Sequence, residues 1–135
     1  MLVVGLVGGA MADRLKLSCD LVEISKQNLS LQDLGSFGAA SRRVKVLDAV
    51  LSGVEYSGPI DRGLVFPTVK SYEEAVRIRS KGGFLWHVQG TPSSDIPIER
   101  FDVMVTTKDG GDRHYLDVHE ALCETILRAR RVRAA

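Results

Sequence analysis

The first seventeen residues constrain the fold of this chain more than any other stretch. An apolar run from Leu2 to Val7 leads into Gly8 and Gly9, and a segment with helical spacing follows as far as Leu17. Because the run is apolar on both faces, it predicts a central strand of a parallel sheet. A strand, a glycine turn and a helix in this order commonly direct a helix N-terminus at a phosphate group.

The glycine turn departs from the pattern of a phosphate-binding loop, which reads G-x-x-x-x-G-K-[ST]. Counted from Gly8, the second glycine position holds Asp13, the lysine position Arg14 and the hydroxyl position Leu15. Two interpretations therefore stay open. Gly8 and Gly9 form either a phosphate cradle or only a tight connection between strand and helix. Arg14 either grips a phosphate or lies in solvent on the first helix.

Strand-like and helix-like patterns alternate along the rest of the chain. The strongest local signal is Ser71 followed by Glu74, which predicts a capping box at a helix start. Alternation of this kind predicts an α/β fold in which helices flank a mostly parallel sheet, with residues 1–135 forming one domain. The predicted strands are Leu2–Val7, Leu21–Ile24, Gly63–Phe66, Phe84–Val88 and Phe101–Thr106. The predicted helices are Met11–Cys19, a short one through Leu29, Leu31 and Leu34, Ser41–Ser52, one from Ser71 to Gly82, and one from Asp112 or Asp117 to Leu127 or Arg128.

The composition restricts the class of protein. The 135 residues carry a net charge of +1, which disfavours nucleic acid or a membrane surface as the partner. The longest apolar run falls well short of the roughly 20 residues that span a bilayer. Cys19 and Cys123 have no disulfide or metal-ligand spacing, so we expect buried thiols in a reducing cytoplasm. His114 and His119 are five residues apart and do not share a helix face, so we predict no metal site.

Five short motifs, taken in order, resemble one family. They are Gly5–Gly8 (GLVG), Leu31–Ser36 (LQDLGS), Val65–Pro67 with Glu73–Ala75, Gly82–Gly83 with Trp86–Val88, and Phe101–Val105 with Asp109–Gly110. The ordered set resembles bacteriophage deoxynucleoside monophosphate kinases, and it covers most of the chain. The resemblance implies a three-layer P-loop NTPase-like (nucleotide kinase-like) fold with a lid shortened around Thr91–Ile98. It also implies a phage-encoded protein in the host cytoplasm.

The nucleotide-binding candidates come partly from this resemblance and partly from charge. Gln32 and Ser36 belong to the segment that helps form the monophosphate side of the family's cleft. Arg42 and Arg43, with Lys45, form the densest internal basic cluster, which either binds phosphate or is the solvated face of a helix. The candidates are Gly8, Gly9, Arg14, Gln32, Ser36, Arg42 and Arg43.

The sequence departs from the family at the positions that carry the chemistry. Phosphoryl transfer needs a cation on the phosphates and an acid that holds Mg²⁺. The family's DVRF is replaced here by Gly63–Phe66 (GLVF), so the aspartate and the arginine are missing. The sequence therefore predicts no catalytic residue and no cofactor.

Three hypotheses follow from these departures. The first is a catalytically degenerate protein that binds a host protein. The second is a protein that binds or sequesters a mononucleotide. The third is an active kinase that uses ATP and Mg²⁺, with Arg14 in place of the lysine and Asp61 or Asp20 as the metal ligand. A homodimer is compatible with the shortened lid, because a second copy could cover the patch that the lid would leave exposed.

Overall fold

The structure is a computed structural model, and it describes residues 1–34, 39–54 and 60–134. Strands and helices alternate over most of this length, as the sequence predicts. In chain order the elements are β1 (Leu2–Val7), α1 (Met11–Ile24), β2 (Asn28–Leu31), α2 (Ala40–Leu51), β3 (Arg62–Phe66), α3 (Tyr72–Ser80), β4 (Phe84–Val88), β5 (Val103–Val105) and α4 (Val118–Ala134).

The five strands form one sheet in the order β2-β3-β1-β4-β5, and every neighbouring pair is parallel. Strand β1 lies at the centre, with Val4 opposite Val65 of β3 on one side and Phe84 of β4 on the other. All six residues of β1 are buried. The prediction of an α/β fold with a parallel sheet and a central first strand is confirmed.

Helices cover both faces of the sheet. Successive residues of a strand point to opposite faces, so Leu2, Val4 and Leu6 pack with residues of α1 and α4. Val3 and Val7 pack on the other face with residues of α2 and α3. The molecule therefore has three layers, helix on sheet on helix. None of the described helices is both long enough and apolar enough to cross a bilayer.

Two predicted elements near the N-terminus are wrong. Leu21–Ile24, predicted as a strand, forms the end of α1, because Leu17 and Leu21 lie one turn apart and both bury against the sheet. The predicted short helix through Leu29, Leu31 and Leu34 is instead strand β2. This strand lies at the sheet edge and pairs only with β3, and three of its four residues are exposed. Its sequence, NLSL, therefore lacks the continuous apolar run of a buried strand.

The inward face of α1 also differs from the prediction. Helical spacing from Met11 predicts that Met11, Leu15 and either Ser18 or Cys19 face the core, but Met11 and Leu15 are 61% and 46% exposed. Ser18 is fully buried, in agreement with this prediction, and its hydroxyl group donates to the Arg14 carbonyl at 2.8 Å. Cys19 and Cys123 are exposed, so the expectation of buried thiols is wrong as well.

Helix α3 begins as predicted, although its capping bonds differ in detail. Ser71 is the N-cap, and its Oγ accepts a hydrogen bond from the Glu74 amide at 3.2 Å. The Glu74 carboxylate bonds back to the Ser71 hydroxyl group at 2.8 Å rather than to the Ser71 amide. The sequence also predicts Ser41 as the cap of the following long helix, but α2 begins at Ala40 without a side-chain cap, so that prediction is wrong.

Two leucines of α1 give a direct test of this packing. We expect Leu17→Ala, at a site 1% exposed, to lower the free energy of unfolding by about 2–5 kcal/mol, because it leaves a cavity under the sheet. Leu15→Ala on the same helix should change it by less than about 0.5 kcal/mol. Urea denaturation measures both values. Equal losses for the two variants would contradict the orientation of α1.

Candidate functional site

The glycine turn lies at the carboxyl end of β1, where ligands of parallel α/β sheets usually bind. Gly8 and Gly9 have φ angles of 72° and 64°, in the left-handed region that side chains with a Cβ rarely adopt. The turn leads directly into α1, whose N-cap, Ala10, has no side chain that can accept a hydrogen bond. The sequence prediction of a strand, a glycine turn and a helix is therefore correct in its geometry.

A segment of the same chain lies across this turn. We call residues 90–93, which follow β4, the strap. The Gly9 amide donates a hydrogen bond to the Thr91 carbonyl at 2.8 Å. A Cβ placed on Gly8 would lie only 3.3 Å from the Ser93 amide nitrogen and 3.4 Å from the Thr91 carbonyl oxygen. One of the amides that could bind a phosphate oxygen here is therefore already bonded to the backbone of the strap.

Arg14 binds the turn itself. Its Nη1 donates to the carbonyl oxygens of Gly8 and Gly9 at 2.8 and 2.9 Å. The side chain is partly buried, and this burial lowers the pKa of Arg14 below its ordinary value. The guanidinium group holds two successive carbonyl groups of the turn, so in this conformation it stabilises the turn.

Arg43 is 3% exposed, and its guanidinium group lies inside the protein. It forms an ion pair with the fully buried Glu74, with Nη2 2.9 Å from Oε1. Further bonds run to the carbonyl oxygens of Leu34 and Thr68. The pair connects α2, α3 and the segments that follow β2 and β3, so Arg43 has a structural role in this conformation.

The remaining nucleotide-binding candidates do not form a common site with the glycine turn. The Gln32 amide extends the β2–β3 ladder by donating to the Val65 carbonyl at 2.8 Å, and its side chain is partly exposed. Arg42 is exposed at the start of α2. Ser36 lies outside the described residues. Nucleotide binding by the seven candidates stays a prediction.

A cavity of about 470 Å³ lies between the amino ends of α2 and α3, at the carboxyl edge of the sheet. Sequence reasoning did not identify it, because its walls come from three segments that are far apart along the chain. Glu73 and Asp95 contribute carboxylates, which would oppose an anionic ligand. The lining residues are Ala40, Ser41, Val44, Ser71, Tyr72, Glu73 and Asp95.

A buried cluster of charged groups surrounds Asp102, which immediately precedes β5. Its Oδ2 lies 2.7 Å from His87 Nε2 and accepts bonds from Arg79 Nη2 at 2.6 Å and from the Glu99 amide at 3.0 Å. Arg79 Nη1 lies 3.2 Å from a Glu99 carboxylate oxygen, without the alignment of a hydrogen bond. The position of His87 beside Trp86 in a predicted strand favours a hydrogen-bonded residue on one sheet face over a general base, and His87 is buried and hydrogen-bonded.

The surroundings of Asp102 set its pKa. Burial alone would raise the pKa of this carboxyl group, but hydrogen bonds from His87, Arg79 and the Glu99 amide outweigh the effect of burial, and so does the charge of Arg79. The pKa of Asp102 is therefore held below its ordinary value. The cluster joins α3, β4 and the segment before β5 through one carboxylate.

The sequence was compared with protein-family models and with curated proteins, and it matches no family model and no curated protein.

The lowered pKa of Asp102 makes a prediction about stability in acid. As the pH falls below about 4, Asp102 takes up a proton in the unfolded chain before it does so in the folded protein. The free energy of unfolding that the ionised Asp102 contributes is therefore lost as the pH falls towards the lower pKa of the folded state. We expect Asp102→Asn to be less stable than the wild type at pH 7. Its loss of stability between about pH 4 and pH 2 should be shallower. Asp95→Asn, in an exposed part of the loop, is the control, and its pH profile of stability should follow that of the wild type. Parallel profiles for Asp102→Asn and the wild type would contradict the assignment.

The buried ion pair makes a separate prediction. Arg43→Met leaves the Glu74 carboxylate buried without its cation, so we expect a loss of about 3–5 kcal/mol in the free energy of unfolding. Arg43→Met combined with Glu74→Leu should cost less than the sum of the two single changes. The exposed Arg77–Asp48 pair is the control, and Arg77→Met should cost at most about 1 kcal/mol. Additive losses in the double-mutant cycle, measured in urea, would show that Arg43 and Glu74 are not coupled.

Proposed function

We propose that this protein has a nucleotide-kinase-like fold, that it does not catalyse phosphoryl transfer, and that it acts by binding another protein. The all-parallel sheet, with its first strand at the centre and a glycine turn leading into α1, supports a three-layer P-loop NTPase-like fold. The ordered resemblance to phage deoxynucleoside monophosphate kinases supports the same fold.

The hydrogen bond from the Gly9 amide to the Thr91 carbonyl carries this proposal. Kinases of this class cradle phosphates with backbone amides at the first turn. Here such an amide is bonded to the strap, and the Ser93 amide nitrogen and the Thr91 carbonyl oxygen approach Gly8 closely. A phosphate group could enter only if the strap moved away.

The catalytic groups support the same conclusion. The cation nearest to the turn, Arg14, binds two carbonyl oxygens of the turn. Leu15, at the position of the metal-binding hydroxyl group, is 46% exposed to solvent. Gly63 and Val65 stand at the positions of the family's aspartate and arginine, so neither a ligand for Mg²⁺ nor a cation for the moving phosphate is present there.

Because the proposed function includes no catalysis, the activity that we propose is binding at the protein surface. If the protein is encoded by a phage, the proposed partner is a protein of the host cytoplasm. The alternative partner, a second copy of this chain, differs in a measurable way, because it would change the molecular mass in solution.

The second candidate function is binding of a mononucleotide without catalysis. The cavity between the amino ends of α2 and α3 offers the hydroxyl groups of Ser41, Ser71 and Tyr72 for hydrogen bonds to a base or a sugar. The carboxylates of Glu73 and Asp95 disfavour the phosphate group, which is why this function ranks second. A nucleotide bound there would leave the strap in place.

A nucleotide panel separates these functions. We expect nucleoside mono- and triphosphates with Mg²⁺, at millimolar concentration, to change the melting temperature by less than about 1 °C, because a ligand stabilises only a protein that it binds. We also expect no ADP release with any monophosphate. Turnover would establish the kinase and contradict the proposal.

If a nucleotide raises the melting temperature without turnover, two variants locate it. Tyr72→Ala should abolish the rise if the nucleotide occupies the cavity between α2 and α3. Leu127→Ala, which removes an exposed side chain of α4, is the control.

A further inference from the structure

A second cavity lies at the opposite end of the sheet from the strap. It has a volume of about 610 Å³, which is within the range of ligand and side-chain pockets. We call it the amino-edge cavity, because it is formed where β4 and β5 begin and where α3 and α4 end. Its lining residues are Arg79, Ser80, Gly82, Gly83, Phe84, Glu99, Arg100, Phe101, Asp102 and Val132.

Three apolar side chains line this cavity. Phe84 is 6% exposed, whereas Phe101 and Val132 are 54% and 38% exposed. An exposed phenylalanine beside an exposed valine keeps apolar surface in water, and burying that surface would be favourable by roughly 25 cal/mol per Å². Aromatic side chains are also enriched at the centres of protein–protein interfaces.

The segments that line the cavity are strongly basic. Residues 79–84, 99–102 and 124–132, which line or adjoin the cavity, contain six cationic side chains and three carboxylates, a local net charge of +3 in a chain whose net charge is +1. The cationic residues are Arg79, Lys81, Arg100, Arg128, Arg130 and Arg131. The positive charge of the protein is therefore concentrated at this edge of the sheet.

Structural contacts account for some of these cations but not for all. Arg79 pairs with Asp102. Arg128 pairs with Glu124 at 2.9 Å and also donates to the carbonyl oxygens of Phe101 and Asp102. Arg100 is exposed and forms no ion pair with any described residue. Its guanidinium carbon lies 5.6 Å from the centre of the Phe101 ring. Because Arg100 lies outside the helices, no helix dipole explains its charge.

We propose that the amino-edge cavity binds an acidic segment of a partner protein. One bulky apolar side chain of that segment would enter the cavity against Phe101 and Val132. Aspartate or glutamate residues beside it would face Arg100 and the exposed arginines Arg130 and Arg131 at the end of α4. The inference rests on the proposed function, because it names the surface through which the protein binds its partner.

Two other occupants fit the same observations less well. In a symmetric dimer through this edge, each copy would place its net charge of +3 against the same charge, which is repulsive. A duplex nucleic acid would match the charge, but its phosphate contacts leave the apolar cavity unused. A single strand would need to stack a base on Phe101, and an oligonucleotide control tests for this. An acidic segment with an apolar anchor matches both the charge and the apolar walls.

Selection from a display library of random dodecapeptides tests the proposal without knowledge of the natural partner. We expect the enriched peptides to share one large apolar residue with two or more aspartates or glutamates nearby. The best peptide is then synthesised with a fluorescent label, and its affinity for the full chain is measured by fluorescence anisotropy. Enrichment of peptides without this pattern, or no enrichment at all, would overturn the proposal.

Substitutions show whether the selected peptide occupies this cavity. We expect Phe101→Ala and Arg100→Glu each to weaken binding about tenfold or more. Raising the salt concentration should weaken binding to the wild type more than to Arg100→Glu, because salt screens the lost charge pair. Met11→Ala and Lys45→Glu change an exposed apolar and an exposed cationic residue elsewhere, and they should stay within twofold of the wild type. A melting temperature for each variant excludes unfolding as the cause.

The other outcomes are equally informative. Affinities of Phe101→Ala and Arg100→Glu within twofold of the wild type would overturn the proposal. A labelled dT12 oligonucleotide that binds as tightly as the peptide, and that loses affinity in Arg100→Glu but not in Phe101→Ala, would indicate a general polyanion site. That result would also overturn the proposal. Release of the peptide as the protein dimerises at higher concentration would assign the surface to a second copy. None of these results depends on the nucleotide panel, so the inference can fail while the proposed function stands.

Discussion

The structure depends on the pairing of β1 with strands on both of its edges. β1 bonds in parallel to β3 and to β4, and every one of its side chains is buried between the two helix layers. A strand in this position cannot be replaced by a turn or a helix without leaving its backbone groups unpaired in an apolar interior. The glycine turn, α1 and the strap all take their positions from where β1 ends.

The pattern of residues is sufficient to predict the elements that are buried on both sides. The run Leu2–Val7 is apolar throughout and Phe84–Val88 is apolar except for His87, and both are strands with the predicted bounds. Of the two edge strands, β5 lies inside the predicted strand Phe101–Thr106, whereas β2 gave no such signal. β2 is half polar because it pairs on one side only, and its register is set by β3 more than thirty residues further on. α1 extends to Ile24 because Leu21 packs against the sheet, which is a tertiary effect that local propensity does not contain.

In the candidate site, the features formed by neighbouring residues could be predicted from the sequence, and the contacts between distant residues could not. Gly8, Gly9 and Arg14 could be recognised as one turn, since they are neighbours along the chain. The contact of Thr91 with Gly9 joins residues about eighty positions apart, and no composition or spacing indicates it. The pairing of Arg43 with Glu74 is likewise invisible, although Ser71 and Glu74 could be recognised as a helix start. Arginines that look equivalent in sequence, Arg42 and Arg43, differ only in which face of α2 they occupy.

The strap also makes the order of the glycine turn depend on a distant part of the chain. The acceptor for the Gly9 amide belongs to the polypeptide itself and is present in every copy at fixed stoichiometry. Because Gly9 follows β1 and Thr91 follows β4, the bond joins the ends of two paired strands and forms together with the sheet. A chain truncated before Thr91 would lose this partner of the turn even if its first eighty residues kept their pattern.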